Sequence, residues 1–132
     1  MERKEIEVVA GILWRDGRFL AARRPEGKPM AGFWEFPGGK VEAGETLEAA
    51  LVRELGEELA VTPVAYAYWR EKRHDYESLR VRLHFFHVNE FSGAPEACEG
   101  HALKWVTTGE ARAMPFLEAD TDIVHALGEA AP

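Results

Sequence analysis

The sequence predicts an α+β fold, an α/β/α sandwich in which a mixed β-sheet is flanked by helices. Three observations carry this. Apolar, β-branched or alternating runs recur before residue 40 and after residue 63. A helical apolar period occupies the middle of the chain, and a second helical segment closes it. At 132 residues the chain has the mass for one domain spanning 1–132, with enough interior for a core.

Ile6 to Trp14 is mostly apolar, Asp16-Gly17 is a turn signal, and Phe19-Leu20-Ala21-Ala22 resumes, so residues 6–24 read as a hairpin. Pro25 to Gly32 holds two prolines and two glycines and reads as a surface loop. Trp34-Glu35-Phe36 is a short strand that ends in a turn at Pro37-Gly38-Gly39. Thr46 is suited to cap a helix in which Leu51, Leu55, Leu59 and Val52 form the apolar stripe. Residues 64–73 and 79–91 read as two strands, the second alternating Leu79, Val81, Leu83 and Phe85 with Arg80, Arg82 and His84. A loop from Gly93 to Gly100 leads to a strand over Ala102 to Val106. Gly109 to Ala113 is a helical turn, and Thr121 to Ala130 is a closing helix with Asp120 as its cap. The chain shows no internal repeat, low-complexity segment or linker.

Composition narrows the function. A formal net charge of −7 argues against a nucleic-acid polymer as partner, because such binding needs a basic face. A small anionic ligand remains compatible if a bound metal or a local group of cations offsets the acidic background. No apolar run reaches the length of a membrane span, so no membrane partner is expected. The charged start, Met1 to Glu5, has no signal-peptide pattern, and the single cysteine, Cys98, fits a reducing compartment. A cytoplasmic protein is the resulting expectation.

The chemistry concentrates in Gly38-Gly39-Lys40-Val41-Glu42-Ala43-Gly44-Glu45 and the helix carrying Arg53-Glu54-Leu55-Gly56-Glu57-Glu58. Glu54, Glu57 and Glu58 are spaced three and four apart and share a helix face. Magnesium is a hard cation that bridges carboxylates to substrate phosphates, and a glycine turn can add a backbone carbonyl. Water attack on phosphorus needs such a cation and a carboxylate to position or deprotonate the water. Alone, three glutamates on a helix would be a solvated acidic face, since like charges there cost only about 0.2–0.5 kcal/mol. Their conjunction with Gly39, Glu45 and Arg53 favours a site. Arg53 lies four residues before Glu57 and eight after Glu45, within reach of both.

Gly39 through Val61 resembles the signature box of the Nudix hydrolase family, and the flanking hairpin and tail look like its MutT-like branch, which includes 8-oxo-dGTP diphosphatases and CTP pyrophosphohydrolases. The one departure is Ala60, where the family has glycine at a left-handed helix exit; alanine there costs about 1 kcal/mol. The resemblance implies magnesium, with manganese able to replace it, held by Glu54, Glu57, Glu58, Glu99 and the Gly38 carbonyl. It implies catalytic roles for Glu54, Glu57, Glu58, Arg53 and Glu99, with Arg53 and Glu45 as supports of the box. Arg24, Glu35, Lys40 and Asp120 are the implied substrate-binding residues. The implied reaction is water attack on a nucleoside triphosphate, releasing the monophosphate and pyrophosphate.

For the base, 8-oxo-dGTP is the leading expectation, with CTP or dCTP as the alternative. An aspartate at position 120 can accept from the N–H edge of guanine or from the amine of cytosine. A non-catalytic nucleotide-binding module is a further alternative, disfavoured because Glu54, Glu57 and Glu58 are all present. Whether the chain is a monomer or a homodimer is left open. Other features take structural readings. Gly-Gly-Lys lacks the earlier glycine of a P-loop. His84 and His87 point to opposite faces of a strand. The five histidines are expected to be singly satisfied, and Trp14, Trp34, Trp69 and Trp105 to be core residues. Arg70, Lys72, Arg73, Arg80 and Arg82 form either a phosphate-binding strip or a solvated sheet face.

Overall fold

The computed structural model describes residues 4–130; Met1 to Arg3, part of the charged start, lie outside the described residues. Strand β1 (Lys4–Arg15) is the spine. It pairs in parallel with β6 (Leu79–Ser92) from Lys4↔Leu79 to Leu13↔Val88. β6 pairs antiparallel with the edge strand β5 (Thr62–Asp75). On its other side β1 receives two partners in succession. β4 (Gly38–Lys40) covers Val8 to Ala10, and β2 (Arg18–Arg23) returns from the hairpin. β2 carries β3 (Trp34–Glu35) and β7 (Ala102–Val106), completing a mixed seven-stranded sheet.

The hairpin turn is the expected one. Asp16 and Gly17 both take positive φ, 52° and 77°, the type I′ geometry that matches the twist of the flanking strands. Gly38 and Gly39 differ from expectation, because they are a strand and not a turn. Their low strand propensity hid a position where backbone approaches backbone. A Cβ on Gly38 would run into the Val9 carbonyl of β1, so only glycine lets β4 lie there.

The two faces of the sheet bury two clusters, which makes the sandwich. Val9, Leu13, Leu20, Phe86 and Val88 pack under α1 (Leu47–Leu59) through Leu51, Leu55 and Leu59. Ala10, Ile12, Phe19, Phe36 and Phe85 pack under Ile123, Val124 and Leu127 of α3 (Glu118–Ala130). The short α2 (Thr108–Arg112) is fixed by a capping box between Thr107 and Glu110 and adds Ala111 to the second cluster. The four tryptophans pack against these clusters as partly buried rim residues. Val52 is not part of the stripe: it is 37% exposed, one position around the helix from Leu51. Among the described residues no helix is long and apolar enough to cross a membrane.

Thr46 caps α1 as expected, its hydroxyl accepting from the Ala49 amide at 3.0 Å. Helix α3 starts earlier than expected, so Asp120 lies within its first turn, bonded through its amide to the Leu117 carbonyl, and is not the cap. At the other end of α1, Ala60 holds φ 59°, ψ 34°, and its amide returns to the Gly56 and Leu55 carbonyls. The left-handed exit therefore survives without glycine, at the cost of crowding between Cβ and backbone. Ala60→Gly is expected to stabilise the protein by about 1 kcal/mol, seen as a higher urea midpoint at unchanged slope. A lower midpoint would show that Cβ contacts of Ala60 outweigh the strain.

Candidate active site

Arg53 ties α1 to the loop that precedes it. Its Nε donates to Glu45 Oε2 at 2.7 Å and its Nη2 to Glu45 Oε1 at 2.9 Å, a bidentate pair. Nη2 also donates to the Lys40 carbonyl at 2.9 Å, while Nη1 reaches Glu54 at 2.8 Å and Glu57 at 3.2 Å. The guanidinium holds the Glu45 carboxyl down at a pKa of about 2, and these acids raise the Arg53 pKa in return. Arg53 thus meets Glu57 four residues on and Glu45 eight residues back.

Beside this knot opens a cleft of about 590 Å³, whose lining includes Gly39, Lys40, Glu35, Glu58 and Asp120. Glu58 is 7% exposed, and the Gly38 amide donates to its Oε2 at 3.0 Å. Burial, reinforced by Glu35, Glu99 and Glu54, pushes its carboxyl up to a pKa of about 8. The Glu54 carboxylate lies flat on Gly39, where a Cβ would displace it, and burial raises its pKa. Glu35 is likewise raised by burial, against the pull of Arg24 Nη1 at 3.1 Å. Glu99 contributes repulsion to all three.

Tertiary hydrogen bonds place the distant members. Two amides of the 93–101 loop, Glu96 and Cys98, donate to the Leu59 and Glu58 carbonyls at 2.9 and 3.1 Å. These are carbonyls that the end of α1 leaves without helical partners, so the helix terminus itself locates Glu99. Strand β3, which carries Glu35, is laced to the entry of α3 by Trp34 to Pro115 and Leu117 to Trp34 bonds. That brings Asp120, 5% exposed, under Glu35. Burial, then Glu35, raises its pKa to about 7 against a bond from the Phe36 amide.

Of the expected site residues, Arg24, Glu35, Gly38, Lys40, Glu58, Glu99 and Asp120 line the cleft. Glu54 borders it at Gly39. Glu57 and Arg53 stand at the rim, with Glu57 about half exposed and turned to Arg53. Lys28, Tyr76 and His101 also line the cleft and were not expected. Lys28 and Tyr76 come from loops, where no periodicity reveals direction. His101 had a signal: Leu103 and Trp105 turn inward while Ala102 and Lys104 turn out, and the alternation continues back to His101. It was expected to be satisfied, but its buried Nε2 has no hydrogen-bond partner among the described residues. The basic strip is largely neutralised on the sheet: Arg82 pairs with Glu71, Arg80 with Asp75 and Lys72 with Asp122. His84 and His87 face opposite sides, bonded to Tyr68 and Glu7 and to Trp14.

The donor chemistry fits a hard divalent cation. Four glutamates stand close enough to repel one another, three of them with raised pKa, and Arg24, Lys28 and Lys40 line the same cleft. Among the described residues no three such side chains already converge on one point. Glu54 and Glu57 are instead held by Arg53 and Glu58 by Gly38.

The comparisons agree with the box and with the fold. The NUDIX domain profile matches residues 8–126. The chain is 42% identical over 123 residues to a CTP pyrophosphohydrolase of Escherichia coli, covering 93% of this chain and 91% of that protein. It is 37% identical over 128 residues to an 8-oxo-dGTP diphosphatase of Haemophilus influenzae, covering 96% and 94%. A MutT structure from work on the Aliivibrio salmonicida and Vibrio cholerae proteins matches with TM-score 0.81 at 38% identity, covering 94% of this chain and 97% of that one. With its profile match, its close relatives and its carboxylate-lined cleft, the chain belongs to the Nudix family and is a hydrolase of diphosphate linkages.

Proposed function

We propose that the protein is a magnesium-dependent pyrophosphohydrolase of nucleoside triphosphates, releasing a nucleoside monophosphate and pyrophosphate. The observation that carries this is the crowd of raised-pKa glutamates in one cleft that also holds the buried Asp120. Glu54, Glu57, Glu58 and Glu99, with the Gly38 carbonyl, would hold the cation, and manganese would be able to replace magnesium there. A cation held by these groups would supply positive charge to the phosphate oxygens. Arg24 and Lys40 counter the remaining phosphate charge from the cleft wall. A water oxygen attacks phosphorus, its proton passes to a carboxylate of the group, and the bridging P–O bond breaks with its electron pair leaving on pyrophosphate.

Asp120 supports a cytosine base ahead of the oxidised guanine that the sequence favoured. With its pKa raised to about 7, this carboxyl is available protonated near neutrality. A neutral carboxyl donates one bond and accepts another, which complements N3 and the N4 amine of cytosine. An ionised carboxylate only accepts, which suits the two adjacent N–H donors of a guanine edge, so 8-oxo-dGTP is the second reading. The E. coli relative named a CTP pyrophosphohydrolase adds weight to the first, and the H. influenzae diphosphatase to the second.

A panel of CTP, dCTP, 8-oxo-dGTP, dGTP and ADP-ribose, with magnesium or EDTA, tests both readings by product chromatography. Pyrophosphate released preferentially from CTP or dCTP and abolished by EDTA is expected. Preference for 8-oxo-dGTP reverses the order, and equal hydrolysis of all triphosphates removes both assignments. Glu58→Gln is expected to lower kcat by about a hundredfold or more while keeping the fold, since it neutralises an anionic ligand. Full activity would place the cation elsewhere.

The metal-free protein also has a predictable pH dependence. Glu58 and Asp120 titrate at about 8 and about 7 when folded, against 4.5 and 3.8 as ordinary carboxyls. The stability they contribute is therefore complete below pH about 4 and lost as pH rises through 7 and 8. In EDTA, the Tm should fall between roughly pH 5 and pH 8, and fall less in a Glu58→Gln, Asp120→Asn variant. Equal slopes for the two proteins would show that these carboxyls ionise freely in the fold.

A further inference from the structure

His101 has a buried nitrogen with no hydrogen-bond partner among the described residues. Its side chain is only 6% exposed and it lines the cleft, directed inward by the alternation that begins β7. Its Nε2 stands 3.7 Å from Glu58 Oε1, just beyond hydrogen-bond range, while Glu58 Oε2 accepts from the Gly38 amide at 3.0 Å. The Glu58 carboxylate is thus flanked by two nitrogens from two different elements, one bonded and one not. Folded proteins leave few buried polar atoms unpaired, so an orphan this close to an acid has a use outside packing.

We propose that His101 is a positioning residue: its Nε2–H closes onto Glu58 Oε1 and, opposite the Gly38 amide, forms a two-point clamp that sets the direction in which Glu58 presents its lone pairs to a divalent cation. The role rests on the reading of Glu58 as a metal ligand. Groups that orient a ligand by hydrogen bonding contribute about 10–100-fold to metal affinity or activity. A leucine in place of His101 removes the donor. A glutamine restores an N–H at about the reach of Nε2.

Binding of Mn²⁺ to the nucleotide-free protein, followed by electron paramagnetic resonance, tests this alongside steady-state kinetics. His101→Leu is expected to weaken Mn²⁺ binding about tenfold and to lower kcat with little change in KM, and His101→Gln to recover most of both. Wild-type Mn²⁺ affinity in a folded His101→Leu protein overturns the clamp. A raised KM at unchanged kcat also overturns it, and assigns the nitrogen to substrate. Glu58→Gln separates the two levels: if it leaves Mn²⁺ binding intact, the metal reading itself fails. If it weakens binding and His101→Leu does not, only the clamp fails. Because the leucine variant can lose the fold, nitrogen NMR of the wild-type imidazole supplies an independent reading. Protonation at Nε2, with the Nε2–H signal moving downfield and becoming protected from exchange on adding Mg²⁺, is expected. A bare Nε2 under those conditions overturns the proposal.

Discussion

A bond from the Gly38 amide to the Glu58 carboxylate, beside the one from Arg53 to the Lys40 carbonyl, joins the sheet to the helix that carries the acids. It exists because β4 can lie against β1 at Val8 to Ala10, and β4 can lie there because position 38 has no side chain to meet the Val9 carbonyl. The same contact brings Gly39 under the Glu54 carboxylate. Two consecutive glycines thus do different work: the first admits the strand, and the second makes room for an acid. The buried Glu58 in turn fixes the floor of the cleft, toward which Glu35, Glu99 and His101 are gathered from separate parts of the chain.

Opposing charge arrangements sit on either side of that floor. On the rim, the one guanidinium of Arg53 bonds to Glu45, Glu54 and Glu57 and offsets part of their charge. Inside, Glu35 keeps Arg24 beside it, yet burial and mutual repulsion still raise the pKa values of Glu58, Glu35 and Asp120. An interior that repels its own carboxylates is poor for stability and well suited to a hard cation and a polyphosphate. The surplus negative charge of the chain is thereby divided between a part that supports the fold and a part that waits for a counter-ion.

Much of this was legible before any coordinates. The helix of the box, its Thr46 cap and the Arg53 contacts follow from spacings of three, four and eight, which a helix converts directly into neighbours. The Asp16-Gly17 turn follows from residues that tolerate positive φ. What stayed hidden depends on tertiary contact. Gly38 to Lys40 reads as a turn by composition, and is a strand because β1 offers it an edge. Asp120 reads as a cap, and is buried because β3 pulls the start of α3 forward by several residues. Lys28 and Tyr76 approach the cleft from loops, and the partnerless nitrogen of His101 depends on what surrounds it. Periodicity describes a side chain's direction from its own element and cannot say what stands opposite.

The loop from Gly93 to His101 hangs from the last carbonyls of α1, at the same turn where Ala60 holds a strained exit. Helix ends fray before helix centres, and local opening takes far less free energy than global unfolding. When that turn loosens, Leu59 and Glu58 release the amides of Glu96 and Cys98, and Glu99 departs with them. The acid cluster is therefore tied to the core at one corner, because Leu59 of the same turn belongs to the layer packed under α1. In a protein built this way, the position of a distant acid and the edge of the core hang on the same helical turn.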